Sequence, residues 1–516
     1  MMTKREKILL FFLLTFILLL RLYHINVGPV EIEESWRQAD TASIARNFAG
    51  YDFHPFHPNL NYDGPFPNIP ALEIQVTTYL IAILYKVFGY HYFLARAVPI
   101  AFFLISALYL YLLARLYLGW NGAAYSLLIY GILPINLYYS RAIMPESAAL
   151  MFWIGGFYYF NRWIIKQNNC REHQRNDHQN HGNYGNYGNH GNNRNGDVND
   201  HGYSDLISKY GLLILSSFFL ALAIMTKPPV IFIGIPMIYL CFKYYGRKWL
   251  KMRVFWIYGF ITAALPACYY YFSTTAAEYK FTLGITRNII FKQAVTTFYS
   301  PEALDFYTVN LPRALGISGL LLCLAGIFFL RGKQKVFLVW FIAMIFEAIL
   351  IVSGIRAFYY LIFLMVPCCL LAGNLLARAA SGPVGKIAGV VLVLLLMKES
   401  YDLVKPMFTI NTVMAQQVNV VKQLTDQDDL LVVGSLDPCL LDLTDRRGWR
   451  YNLRLYAATP KDPIQELDDY IARGAKYFVL IQGKIYGDQD EKLLSYIEGE
   501  YPKLEVVQGY PIYVLK

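Results

Sequence analysis

The chain has 516 residues, of which 56% are hydrophobic and 16% charged, and its mean hydropathy is +0.34. Soluble proteins carry roughly 25% charged residues, so this composition excludes a disordered chain and argues against a soluble globule. The net formal charge of +10 fits basic loops on the cytoplasmic side of a membrane better than a nucleic-acid partner.

The first apolar segment follows Met1-Met2-Thr3-Lys4-Arg5-Glu6-Lys7 and runs from Ile8 to Tyr23. No small-residue cleavage site follows it, so it reads as an uncleaved anchor with its basic end in the cytoplasm. Further spans are predicted at 93–115, 122–139, 147–165, 209–226, 229–245, 254–273, 314–330, 336–353, 358–378 and 384–397. With the first, that makes about eleven. The connections alternate in charge. One set holds Lys4-Arg5-Lys7, Arg115, Arg162/Lys166, Lys243 through Arg253, Arg331-Lys333-Lys335 and Arg378/Lys386. The positive-inside rule places that set in the cytoplasm and the loops 24–92, 140–146, 274–313, 354–357 and 398–516 outside a plasma membrane.

Two segments break the pattern. Residues 167–203 are polar and repetitive, contain five of the nine histidines, and read as a disordered cytoplasmic insertion, with metal binding the alternative. Residues 402–516 turn water-soluble. Strands are predicted at Asp429–Gly434, Lys476–Ile481 and Leu504–Val507, and helices at Ala415–Leu424, Ile464–Arg473 and Glu491–Glu500. They predict a small α/β domain on the outer face. The seven cysteines show neither metal-ligand nor disulfide-framework spacing, and the four or more that sit in apolar stretches read as packing residues.

Charges in or beside spans are costly, and the predicted outer face collects many. In the first outer loop, Trp36 to Phe48 has helical periodicity, with Arg37 and Asp40 on one face; Leu72 to Phe88 reads as a second amphipathic helix opening with Glu73. Both are expected to lie on the membrane surface. Arg141 and Glu146 flank a span, Lys227 sits in Met225-Thr226-Lys227-Pro228-Pro229, and Arg356 precedes Tyr359-Tyr360. Arg96 and Arg141 read as readily as snorkelling or ion-paired structural residues as they do as members of a functional site. Glu347 lies inside an apolar run. Cations together with carboxylates at the lipid boundary are well suited to holding a lipid-linked phosphate while a carboxylate deprotonates an acceptor. No P-loop, dinucleotide glycine fingerprint, HExxH or Gly-x-Ser-x-Gly signature is present.

Over roughly residues 1–400 these motifs resemble GT-C fold glycosyltransferases of the family 39 type, the group of protein O-mannosyltransferases and the lipid A aminoarabinose transferase. Trp36-Arg37-Gln38-Ala39-Asp40-Thr41-Ala42, with Ile44-Ala45-Arg46-Asn47-Phe48, is similar to the first-loop helix that carries the family's acidic catalytic residue. Many members have an adjacent Asp-Glu pair there; this chain has Asp40, with Glu33 and Glu34 upstream. Glu73 resembles the second acidic position of the loop, Glu146 the acid that opens the fourth span, and Lys227 a lysine on the donor phosphate. Arg356 with Tyr359-Tyr360 resembles the late loop near that phosphate.

The resemblance implies a mainly α polytopic membrane protein of GT-C fold (1–400) with a small C-terminal α/β extracytoplasmic domain (401–516). It implies transfer, with inversion, from a polyprenyl-phosphate sugar to a hydroxyl on a protein, lipid or glycan. Asp40, or else Glu34, is the expected base, so Asp40→Asn is expected to abolish transfer. Lys227, Arg356, Arg37 and Tyr359 are expected around the donor phosphate, and Arg37 is expected to orient Asp40. Glu73 and Glu146 have two alternative roles: holding a divalent cation, magnesium or manganese, or ordering the cationic side chains. The rival readings are a GT-C ligase or polymerase using diphosphate-linked oligosaccharide, a transporter or lipid flippase, and a catalytically dead scaffold.

Overall fold

The computed structural model describes residues 2–181, 201–277, 300–451 and 462–516. Helix α1 (Lys4–Leu19) opens on a capping box, in which the Thr3 side chain accepts from the Glu6 N–H and the Glu6 carboxylate from that of Thr3. Glu6 also meets Arg115 at 3.0 Å. Beyond its other end, buried Arg21 donates to the carbonyls of Ile17 and Gly131, each at 2.9 Å, and to Ser140 Oγ at 2.8 Å. One guanidinium thus satisfies orphan carbonyls at two helix ends.

The first long connection folds α2 (Ser35–Gly50) and α3 (Val76–Phe88). Helix α4 (Tyr92–Ile132) is 41 residues long, about 60 Å at 1.5 Å per residue, or twice a hydrocarbon core. It contains a break at Gly119 (φ 70°, ψ −175°), between the predicted spans 93–115 and 122–139, the second of which ends in α5 (Pro134–Tyr139). The bundle continues with α6 (Glu146–His181), α7 (His201–Thr226), α8 (Gly234–Tyr245), α9 (Arg253–Ala276), α10 (Pro301–Leu315), α11 (Ile317–Phe328), α12 (Lys335–Glu347), α13 (Ile362–Ala379) and α14 (Pro383–Val404).

Among the described residues five helical stretches are individually long and apolar enough to cross a membrane, or up to six if α10 and α11, bent by 93°, count as one. This criterion does not reproduce a count of eleven. Several predicted segments lie on helices that are short, broken by glycine or proline, or continued into polar sequence. Residues 167–181 are the end of α6 rather than loop, and 201–203 open α7; the core of the predicted insertion, 182–200, lies outside the described residues. A helix already formed extends at little cost into sequence that would not nucleate one.

Small residues bring the helices close. A Cβ at Gly373 of α13 would lie 2.6 Å from the Ser126 amide nitrogen of α4, and one at Gly326 of α11 would meet the Leu371 carbonyl. Trp153 and Trp340 stack edge to face at 4.9 Å in the bundle core. Glu347 is buried where α12 passes into a π-helical turn.

The C-terminal unit begins with α15 (Thr412–Leu424) and contains β1 (Leu430–Val433), α16 (Cys439–Thr444), β2 (Arg447–Arg450), α17 (Pro463–Ala472), β3 (Ala475–Val479), α18 (Lys492–Glu500), β4 (Lys503–Leu504) and β5 (Ile512–Val514). The sheet order is β2-β1-β3-β5-β4, parallel over the first three strands and antiparallel thereafter. The third predicted strand shrinks to Lys503–Leu504, and two others appear. Arg447-Gly448-Trp449-Arg450 has no apolar run to announce it, and Ile512–Val514 follows a proline.

Strand β2 is an edge, and the first long connection covers it. Gly448 N–H donates to the Asn61 carbonyl at 3.1 Å, and Gly64 N–H to the Gly448 carbonyl at 3.0 Å. Arg450 grips Asp63 with two bonds of 3.0 and 2.6 Å.

Candidate active site

Helix α2 is enclosed, not laid on a membrane surface as its sequence predicts. Gln38 through Ala45, together with Asn47 and Phe48, are buried, so every face is covered. Its small residues are too short to form an apolar lipid-facing stripe; they let α3 and α16 of the C-terminal unit approach instead. Gln38 fixes the helix to the bundle: its side-chain oxygen accepts from Arg96 at 3.1 Å and from the Ile143 N–H at 3.2 Å. Arg96 and Arg141 are fully buried on Glu31, which accepts from Arg141 at 3.1 Å and Arg96 at 3.3 Å. These two arginines are therefore ion-paired parts of the scaffold.

Helix α7 stops at Thr226 because Pro228 disfavours helical backbone at Lys227, which adopts φ −147°, ψ 98°. Lys227 is 4% exposed, and its Nζ lies 2.7 Å from Glu146 Oε1. Glu146 is the first residue of α6, where the helix dipole favours a carboxylate. The same ammonium lies 5.2 and 5.1 Å from the Tyr359 and Tyr360 ring centroids. Helix α3 begins at Val76, not Leu72, because the preceding stretch is used otherwise: Glu73 pairs with Arg37, and the Ile74 N–H donates to the Met225 carbonyl at 3.0 Å. Four separate parts of the chain thus meet around Lys227.

Glu34 caps α2 in a left-handed conformation (φ 48°, ψ 36°). Burial and the charges of Glu33 and Glu146 push its carboxyl up to about 7, against the pull of Arg37 and Lys227. Glu33 itself is held by the Tyr139 hydroxyl at 2.7 Å and by Arg313 at 2.5 Å.

Asp40 lies on the C-terminal side of the cluster. Its Oδ2 accepts from Tyr62 at 3.3 Å, and its carboxyl faces Asp442 of α16. Burial raises the pKa of Asp40 while Arg37 and Asp442 lower it; burial and Asp40 raise that of Asp442. Arg37 does not orient Asp40 through a direct ion pair, because its own partner is Glu73.

The structure brings together Glu34, Arg37, Glu73, Glu146, Lys227 and Tyr359, with Asp40 at the edge. It leaves Arg356 out. That residue is exposed with φ 53° at the end of a short helical turn, and among the described residues no ion pair or side-chain hydrogen bond ties it to the cluster. Sequence reading missed Tyr139, Arg313, Tyr62, Asp442 and Arg450. Arg313, beside Pro312 at a helix end, carried a faint signal; the rest were indistinguishable from ordinary loop, span and domain residues.

The helical bundle with its small C-terminal strand-containing unit has the GT-C fold of membrane glycosyltransferases. Residues 75–171 match the sequence family described as dolichyl-phosphate-mannose-protein mannosyltransferase. No curated protein matches the chain by sequence. Among solved structures, ArnT from Cupriavidus metallidurans bound to undecaprenyl phosphate is similar with a TM-score of 0.60 and 13% identity, covering 97% of both chains. The archaeal oligosaccharyltransferase AglB from Archaeoglobus fulgidus, in complex with an inhibitory peptide and a dolichol-phosphate, gives 0.58 at 11% identity over 93% of this chain and 70% of its own. The arabinofuranosyltransferase AftD from Mycobacteria gives 0.50 at 13% identity over 100% of this chain and 40% of its own.

Proposed function

We propose that the protein transfers a sugar from a polyprenyl-phosphate donor to a hydroxyl acceptor on the outer face of the plasma membrane, with inversion. The observation that carries this reading is the convergence of Lys227 and Arg37, each on its own carboxylate, beside Glu34 and the Tyr359-Tyr360 pair. Glu34 is the base. It is less enclosed than Asp40, which is buried, and its raised pKa suits proton exchange near neutrality. Asp40 is the less suited of the two expected acids because Tyr62 and Asp442 enclose it.

Glu34 takes the acceptor hydroxyl proton as the oxygen attacks the anomeric carbon. The bond from that carbon to the phosphate oxygen breaks on the opposite side, and one displacement inverts the centre. Polyprenyl phosphate leaves with an added negative charge, which Lys227 and Arg37 stabilise. Glu73 and Glu146 take the ordering role, which their pairing with Arg37 and Lys227 supports; among the described residues no group of three or more carboxylate, imidazole or thiol side chains fits a divalent cation. The test is to offer purified protein sugars on monophosphate and on diphosphate carriers. Release of free polyprenyl phosphate from the first supports the proposal; turnover of the second alone overturns it.

A further inference from the structure

Asp40 and Asp442 form a carboxyl pair that the transfer chemistry leaves unused. They come from different units, Asp40 from α2 and Asp442 from α16, and are 6% and 2% exposed. Among the described residues Asp40 Oδ1 and both oxygens of Asp442 accept no well-formed hydrogen bond; the Ser43 hydroxyl of α2, which donates to the Asp40 carbonyl at 3.0 Å, faces Asp442 and favours its charged form. The charged groups facing the pair are Arg37 on α2, Asp437 before α16 and Arg450 on β2; the Tyr62 phenol, kept protonated by burial, faces it from the first loop. Both cations are engaged elsewhere, Arg37 by Glu73 and Arg450 by Asp63. Two ionised carboxylates in contact there would repel, with no cation free to offset the second charge. One proton held between them removes a charge and supplies the missing hydrogen bond.

We propose that Asp442 is a positioning residue: its carboxyl shares a single proton with Asp40, and this bond seats α2, with Glu34 and Arg37 at its start, against the C-terminal unit. The C-terminal unit thereby helps set the geometry of the site without touching substrate. Asp442 keeps the proton and donates it to the Asp40 carboxylate, because Tyr62 and Arg37 favour charge on Asp40. The activity readout rests on the transfer reading above, and the stability readout does not.

The experiment compares wild type, Asp442→Asn and Asp442→Ala in detergent between neutral and alkaline pH. Thermal unfolding is followed together with hydrogen exchange of residues 35–50. An asparagine donates the same hydrogen bond and has no proton to lose. Asp442→Asn is expected to keep neutral-pH stability and exchange protection and to abolish the alkaline loss seen in wild type. Asp442→Ala is expected to lower protection of α2 by about 10- to 100-fold, the cost of an unsatisfied buried partner. If transfer is detectable, Asp442→Asn moves its alkaline limb upward; if no transfer is found, the unfolding and exchange data still decide. Asp442→Asn with an unchanged alkaline loss, or as unprotected as Asp442→Ala, overturns the proposal.

Discussion

Replacing Lys227 by methionine removes the cation of a pair that is 4% and 0% exposed, with nitrogen and oxygen 2.7 Å apart. Glu146 has no further hydrogen-bond donor among the described residues, so its charge is left buried without an ion-pair partner, and the nearby Arg37 is already engaged by Glu73. Stranding one member of a buried pair costs about 3–5 kcal/mol. Adding Glu146→Leu removes the stranded charge, and buried pairs replaced by hydrophobes of similar size are often neutral or better, so the double variant should return to within about 1 kcal/mol of wild type. Transfer should not return. Losing one preorganised electrostatic donor costs about 2.7–4 kcal/mol of transition-state stabilisation, a rate loss of about 100- to 1,000-fold. The assay pairs thermal unfolding with initial rates of polyprenyl-phosphate release. A double variant that recovers both stability and transfer would show Lys227 to be structural only. A single variant as stable as wild type would refute the buried pair.

Glu34→Gln should abolish transfer, and in wild type the rate should fall about tenfold per pH unit below about 7, because only the ionised carboxylate accepts the proton. The same change at Asp40 should cost less; a larger loss at Asp40 would return the base to that residue. The raised pKa of Glu34 also has a sign for stability: the fold loses this contribution as pH climbs from the unfolded value of about 4.3 through 7, and Glu34→Gln should flatten that slope in pH-dependent melting. Glu31→Gln leaves Arg96 and Arg141 buried without their shared counter-charge and should destabilise by about 3–5 kcal/mol; an unchanged melting temperature would contradict the scaffold role. Arg356→Gln should lower transfer less than Arg37→Gln, in parallel initial-rate assays.

Much of the bundle was legible because a span must be written continuously in apolar residues. Its interruptions were not: Gly119 bends one long helix, and the 93° turn at Gly316 divides another stretch, through backbone angles that hydropathy does not register. Lys227 and Glu146 stood out because charge beside a span is costly, and the structure pairs them. Arg356 stood out for the same reason and is simply exposed. The enclosure of α2 was hidden because its cover comes from residues about 400 positions away in the C-terminal unit, a long-range pairing that local periodicity does not encode. Asp442 in Leu441-Asp442-Leu443 looks like any short helix residue until α16 is placed against α2.

The decisive measurement is release of free polyprenyl phosphate from a panel of polyprenyl-phosphate sugars, with wild type and the stable Lys227→Met/Glu146→Leu variant side by side. Release by the wild type and at least about 100-fold less by the variant is the predicted result. Equal release by both, or none from any monophosphate-linked sugar by either, would contradict a phosphate held at Lys227.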